Sequence, residues 1–97
     1  MFIVSLTYIC DIAKADEHME AHIAYVDKYF AKKVFLASGR KVPRTGGIIL
    51  MQAASREDVQ KIVEEDPFFK ENIAAFEITE FIPTRTSPEL SILKQAV

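Results

Sequence analysis

The spacing of hydrophobic residues changes along the chain, and each change predicts an element of secondary structure. Residues 2–9 alternate apolar side chains between two faces, which is the two-residue period of a strand. After a connection over residues 11–15, Asp16 is a good N-cap, and apolar residues then recur at helical spacing, which predicts a helix over residues 17–31. Its predicted core row is Met19, Ile23, Val26 and Phe30, flanked by His22 and Tyr29.

The remaining apolar runs predict strands at residues 34–37, 48–53 and 74–82 and a second helix at residues 56–65. Ser55 and Asp58 resemble a capping box at the start of that helix, and Asp66-Pro67 ends it. The segment SGRKVPRTGG holds all three glycines and three cations, and it is predicted to be a loop. In the tail, Ser87-Pro88 predicts the start of a short helix that docks on the body or on a partner.

The element order βαββαβ predicts an α+β, ferredoxin-like fold, with strands one and three central in a four-stranded antiparallel sheet. Both helices then cover one face. The other face presents an apolar row of the third strand together with Ile3 and Ile9, or with Phe2, Val4 and Leu6 in the opposite register. Because an uncovered apolar face usually marks an interface, we predict a homodimer packed sheet to sheet, as in a dimeric α+β barrel.

Composition limits the class of protein. A chain of 97 residues with 49% hydrophobic positions builds one domain, which we assign to residues 1–83 with a tail at 84–97. The net charge of -2 argues against nucleic acid as a partner.

Cys10 is the single cysteine, so an intramolecular disulfide is excluded and a reducing, cytoplasmic location is expected. The apolar N-terminal run lacks a basic region and is interrupted by Asp11, so neither a signal peptide nor a membrane anchor is predicted.

His22 and Asp66 are the residues with the clearest chemical potential. Histidine exchanges protons near neutral pH and is a common general acid or base. The alternative for His22 is a hydrogen-bonded residue at the rim of the core. Asp66 precedes Pro67 and suits an N-cap, and a carboxylate fixed in this way can also orient an imidazole. The sequence alone does not show that the two side chains meet.

The predicted loop supplies the candidate substrate-binding residues Ser38, Gly39 and Arg40, because glycines and cations suit an anionic or carbonyl-bearing ligand. A solvated hairpin loop is an equally good interpretation. Tyr8 either lines a pocket or belongs to the core. His18 and His22 lie four residues apart on the helix, but two histidines make an incomplete site, so no metal is predicted.

The segments EAHIAYVDKYF, LASGRKVPRTGG and EEDPFFKENIAAFEITEF resemble the YciI-like proteins, small bacterial members of the dimeric α+β barrel group. The resemblance implies a His-Asp pair in a cleft, carried here by His22 and Asp66, and a glycine after the second strand, carried by Gly39. It also implies a homodimer, and reactions such as elimination or isomerisation of small cyclic or aromatic compounds without a required cofactor.

The chain departs from that family at two places. Many relatives carry an arginine shortly before the helix histidine, where this sequence reads Met19-Glu20-Ala21. Many also place a proline after the loop glycine, where Arg40 and Lys41 follow here. The identity of the substrate therefore does not transfer with the resemblance.

The leading hypothesis is a small-molecule enzyme for elimination, isomerisation or hydrolysis. His22 acts as general base or acid, Asp66 orients it, and Arg40 with the loop backbone holds a polar group of the substrate. Replacing His22 by Ala is then expected to abolish turnover with little effect on the thermal melt. The alternatives are a noncatalytic small-ligand-binding or accessory dimeric module, and a mainly structural role for the same residues.

Overall fold

The computed structural model describes residues 1–96 of the chain. Its elements are β1 (Phe2–Tyr8), α1 (Ile12–Glu17), α2 (Met19–Ala31), β2 (Phe35–Arg40), β3 (Gly46–Met51), α3 (Arg56–Glu64), α4 (Pro67–Lys70), β4 (Ala74–Glu80) and a 3₁₀ helix (Pro88–Leu93).

The four strands form one sheet in the order β2-β3-β1-β4, and every neighbouring pair is antiparallel. At the centre of the sheet, Val4 of β1 lies opposite Ile49 of β3 on one side and Ile78 of β4 on the other. The order of elements and the two central strands confirm the predicted ferredoxin-like α+β fold.

The helices cover one face of this sheet and bury its apolar row. Phe2, Val4 and Leu6 of β1 join helix residues such as Tyr25 and Val59 in a single core cluster. The opposite side, which we call the open face, therefore carries Ile3 of β1, with Ile48 and Leu50 of β3. Of the two predicted registers, the one with Ile3 outward is correct, although β1 ends before Ile9, whose side chain is exposed.

The first helical region begins earlier than the sequence pattern indicates. Asp11 precedes α1, the backbone bends at His18, and α2 then begins at Met19, so the predicted connection over residues 11–15 and the predicted cap at Asp16 are both wrong. The cause is tertiary, because Ala15 is fully buried in the core cluster and anchors this short helix there.

The buried face of α2 also differs from the predicted row. Tyr25 and Tyr29 are the buried residues of this helix, whereas the side chains of Ile23 and Phe30 are 50% and 37% exposed. Tyrosine can occupy the core because each hydroxyl has a partner on or beside α3. The Tyr25 hydroxyl donates to the Ile62 carbonyl at 2.8 Å, and the Tyr29 hydroxyl donates to the Glu65 carboxylate.

The predicted loop between the second and third strands is much shorter than expected. Ser38, Gly39 and Arg40 belong to β2, where they lie opposite Ile49, Ile48 and Gly47 of β3. Gly46 begins β3 with φ +154°, and a Cβ there would lie 1.8 Å from the Leu6 carbonyl oxygen. This close approach of two backbones permits the pairing that the composition of the segment obscures.

The tail forms a 3₁₀ helix after Ser87, so the predicted starting point is correct. The side chains of Leu90 and Ile92 are 51% and 89% exposed, and docking of this segment on a partner stays a prediction. No helix within residues 1–96 has both the length and the apolar character needed to cross a membrane.

Candidate functional site

A cleft of about 210 Å³ lies between α2 and the helix-covered face of the sheet, beside β2 and β3. It takes side chains from β1, α2, β2, β3 and α4. Most of these side chains are apolar, and they include Leu6, Met19, Ile23, Val26 and Ile49. The polar groups of the lining are few, so each of them has a large influence on what the cleft accepts.

The His22 imidazole lines this cleft, and Asp66 lies behind it. The His22 Nδ1 is 2.8 Å from the Asp66 Oδ1, and the Asp66 side chain is completely buried. The same Oδ1 accepts the backbone N–H of Phe68 at 2.9 Å. Because Oδ1 acts as an acceptor, we assign the proton of this pair to Nδ1, which leaves the lone pair of the neutral ring on Nε2.

One short turn of chain positions both groups that hold the imidazole. Asp66 is the N-cap of α4 and Pro67 follows at the first helical position, a combination that the sequence favours strongly. Two residues after the cap, the Phe68 ring stacks on His22 with a centroid separation of 4.1 Å and an interplanar angle of 3°. The sequence does not single out Phe68 for this contact, because the stacking depends on the position of α2.

Tyr8 and Phe68 form the aromatic part of the cleft. Tyr8 lies at the end of β1, and its ring meets the edge of Phe68 at a centroid separation of 6.0 Å. Since Phe68 is almost completely buried, the partly buried Tyr8 is the aromatic side chain with more contact to the open space. Of the two interpretations of Tyr8, the lining position matches the geometry.

Tyr25 is a neighbour of both His22 and Asp66. Burial raises the pKa of the Tyr25 hydroxyl far above its usual range, and the nearby Asp66 charge raises it further. Tyr25 therefore stays protonated at every physiological pH. Two aromatic rings thus flank the imidazole, with centroids 6.2 Å away for Tyr25 and 4.1 Å away for Phe68.

The opposite wall of the cleft consists of the end of β2. Ser38, Gly39 and Arg40, the candidate substrate-binding residues, all contribute to the lining. The two other cations of the connecting segment have polar partners elsewhere. The Arg44 guanidinium donates to Asp16 at 2.5 Å, and the Lys41 Nζ donates to the Thr7 hydroxyl at 2.9 Å.

The structure thus brings the predicted residues Tyr8, His22, Ser38, Gly39 and Arg40 to one cleft, with Asp66 directly behind His22. Their roles in catalysis and binding stay predictions. Within residues 1–96, no three His, Cys, Asp or Glu side chains are grouped as ligands for a metal ion.

Comparison with known proteins places the chain in a family. Residues 1–82 match the model of the YCII-related domain. The chain belongs to this family. The match covers most of the sequence and confirms the resemblance drawn from its motifs. A search among curated proteins finds no match.

The fold is similar to that of a solved structure. It is 5-chloro-2-hydroxyhydroquinone dehydrochlorinase (TftG) from Burkholderia phenoliruptrix AC1100, in complex with 2,5-dihydroxybenzoquinone. The TM-score is 0.70 at 22% sequence identity, and the alignment covers 84% of this chain and 93% of that one. At this identity the similarity establishes the fold.

Proposed function

We propose that this YCII-related protein is an enzyme that carries out general acid-base chemistry on small cyclic or aromatic compounds. His22 is the proton-transferring residue, and Asp66 orients it. The observation that carries the proposal is the 2.8 Å contact between the His22 Nδ1 and a fully buried Asp66 carboxylate, on an imidazole that lines an apolar cleft. A histidine oriented by a carboxylate is a recurring arrangement for proton transfer.

The proposed reaction is an elimination or an isomerisation. In an elimination, the His22 Nε2 accepts a proton from a saturated ring carbon, such as the one present in the keto tautomer of a hydroxylated ring. The electron pair of the broken C–H bond forms a new double bond to the neighbouring carbon, and the leaving group departs from that carbon with the pair of its own bond to the ring. Asp66 stabilises the imidazolium that results, and water later removes the extra proton. In an isomerisation, the imidazolium returns the proton to another atom of the same ring. Proton transfer by a positioned histidine contributes roughly 10² to 10⁴ in rate.

The size and lining of the cleft support a small ring compound as substrate. Its volume of about 210 Å³ lies below the roughly 300 Å³ at which pockets for drug-sized ligands begin. The Phe68 and Tyr8 rings and the surrounding aliphatic side chains favour a planar, largely apolar body. The dehydrochlorinase of similar fold acts, by its name, on a hydroxylated and chlorinated ring, which makes hydroxylated aromatic compounds the first class to assay.

Chloride release and ultraviolet absorbance with 5-chloro-2-hydroxyhydroquinone and related hydroxylated rings provide the test. For any compound that is turned over, H22A should lower kcat by about 10² or more, and D66N should also lower it. H18A is the matched control, because His18 lies at the junction of α1 and α2, outside the lining of the cleft. Full activity of H22A would disprove the assignment. Ligands that raise the melting temperature of the wild type without product would instead favour the binding-module alternative.

We also propose that the protein works as a cytoplasmic homodimer that packs through the open face. Ile3, Ile48 and Leu50 give this face an apolar centre that no helix within residues 1–96 covers, and Ile48 is 38% exposed. Burial of such a patch against a second copy would remove apolar surface from water and stabilise a domain of this small size.

A further inference from the structure

We propose that the cleft selects ring compounds that carry an anionic oxygen, and that the Arg40 guanidinium binds this oxygen. The inference rests on the proposed function, which it extends by naming the charge of the substrate.

The charge balance of the cleft is the first argument. Among the described lining residues, the titratable side chains are Tyr8, His22 and Arg40, and none of the lining residues is an Asp or Glu. Arg40 is therefore the one permanent charge that the lining contributes. An anion entering the cleft meets a cation and no carboxylate, whereas a neutral ring leaves the guanidinium without a counter-charge.

The partners of the neighbouring cations give the second argument. Arg44 is bound to Asp16, and its guanidinium also lies 5.9 Å from the centre of the Tyr8 ring. Lys41 is bound to Thr7. Within residues 1–96, Arg40 forms neither an ion pair nor a side-chain hydrogen bond with any residue, so its five N–H donors are available to a ligand.

The arrangement of the two walls gives the third argument. In the antiparallel ladder, Arg40 and Ser38 alternate with Gly39 and point to the face of β2 that borders the cleft, while His22 borders it from α2. A planar guanidinium binds a carboxylate or a similar pair of oxygens through two parallel hydrogen bonds. A ring held in this way at one edge presents its other edge to the His22 Nε2. The guanidinium also stabilises the negative charge that develops on the ring when His22 removes a proton.

A pair of probes that differ mainly in charge tests the proposal, namely 2,5-dihydroxybenzoate and its neutral amide, 2,5-dihydroxybenzamide. Isothermal titration calorimetry at low ionic strength, where an exposed charge is least screened, gives both affinities. The wild type should bind the carboxylate about tenfold to a hundredfold more tightly, the range expected for charge-assisted hydrogen bonds. R40Q should lose this preference, and R40K should recover part of it. R44Q removes a cation of the same type from the neighbouring loop and should keep the preference.

Three results would overturn the inference: no binding of either probe, equal affinity of the wild type for both, or an undiminished preference in R40Q. These results are distinguishable from failure of the proposed function. If H22A abolishes turnover of an anionic ring compound that R40Q converts with the wild-type kcat and KM, the enzyme assignment stands and the anion site is wrong. If the preference depends on Arg40 while H22A retains full turnover, the anion site stands and the role of His22 is wrong.

Discussion

At the scale of single residues, His22 lines the cleft and also contacts two buried residues of the core. Its imidazole stacks on Phe68 and supplies one of the two hydrogen bonds to the Asp66 Oδ1. The other carboxylate oxygen, Oδ2, is buried without a hydrogen-bond partner among the described residues. Asp66 therefore depends on His22 for much of its stabilisation, and we expect removal of the imidazole to affect folding as well as the proposed catalysis.

We predict that H22A lowers the free energy of unfolding by about 1–3 kcal/mol, because it leaves a buried carboxylate with a single hydrogen bond. This replaces the expectation from the sequence that the melt would hardly change. Urea unfolding of the wild type and H22A measures the difference. H18A is again the control, since the His18 side chain makes no capping hydrogen bond and its loss should cost less. A stability of H22A equal to that of the wild type would contradict the coupling.

The link between α2 and α3 is expected to weaken at alkaline pH. Burial and the hydrogen bond to Glu65 raise the pKa of Tyr29 to about 12, from 10.0 in an unfolded chain. A raised pKa means that the unfolded state loses the proton first. The contribution of Tyr29 is therefore complete below about pH 10 and is lost as the pH rises through about 12.

Thermal melts of the wild type and Y29F between about pH 8 and pH 12 test this dependence, with a shallower alkaline decline expected for the variant. K28Q is the control, because Lys28 is the other side chain bound to Glu65 and its replacement leaves the Tyr29 hydroxyl in place. Identical pH profiles for Y29F and the wild type would show that Tyr29 is not responsible.

At the scale of elements, α4 does more for the site than its four residues suggest. Its cap is Asp66, which orients His22, and its first turn carries Phe68, which stacks on the same ring. The orientation of the imidazole is thus determined by the position of one short helix, held in the core by the complete burial of Phe68 and of Ile73 just after it.

The pairing of β3 with β1 depends on the absence of a side chain at Gly46. We predict that G46A costs more than about 3 kcal/mol, because its Cβ would lie 1.8 Å from the Leu6 carbonyl oxygen and φ is +154°. G39A is the matched control in the adjacent strand, where an added Cβ meets nothing within 4 Å, and it should change stability by less than about 0.5 kcal/mol. Denaturant unfolding of both variants provides the comparison, and similar costs for the two would refute the backbone contact.

At the scale of the whole molecule, the prediction concerns association. Sedimentation of the wild type at micromolar concentration should give about 22 kDa, twice the 11.0 kDa of one chain. L50E should lower the measured mass toward that of the monomer, because the substitution places a charge in the apolar centre of the open face. A24E adds the same charge to an exposed position on α2 and should leave the dimer intact. A monomeric wild type would rule out the sheet-to-sheet dimer.

Much of this protein was determined by local sequence signals. The alternation in β1 and β4 and the helical spacing of α3 predict the order of elements, since periodicity reflects burial of one face. The caps at Ser55 and Asp66 were predictable because each bonds to a backbone N–H only two or three residues away. The candidate residues His22 and Asp66 were likewise visible as residue types and as a family resemblance.

Only the tertiary structure decided where those residues meet. His22 and Asp66 are 44 positions apart, and their contact depends on how α2 and α4 pack together. The burial of Tyr25 depends on a carbonyl of α3, and the strand character of Ser38 and Arg40 depends on pairing with β3. A one-dimensional pattern records the polarity and the spacing of side chains. It does not record which distant group accepts the hydrogen bond of a buried hydroxyl, which group donates to a buried carboxylate, or which strand pairs with an edge strand.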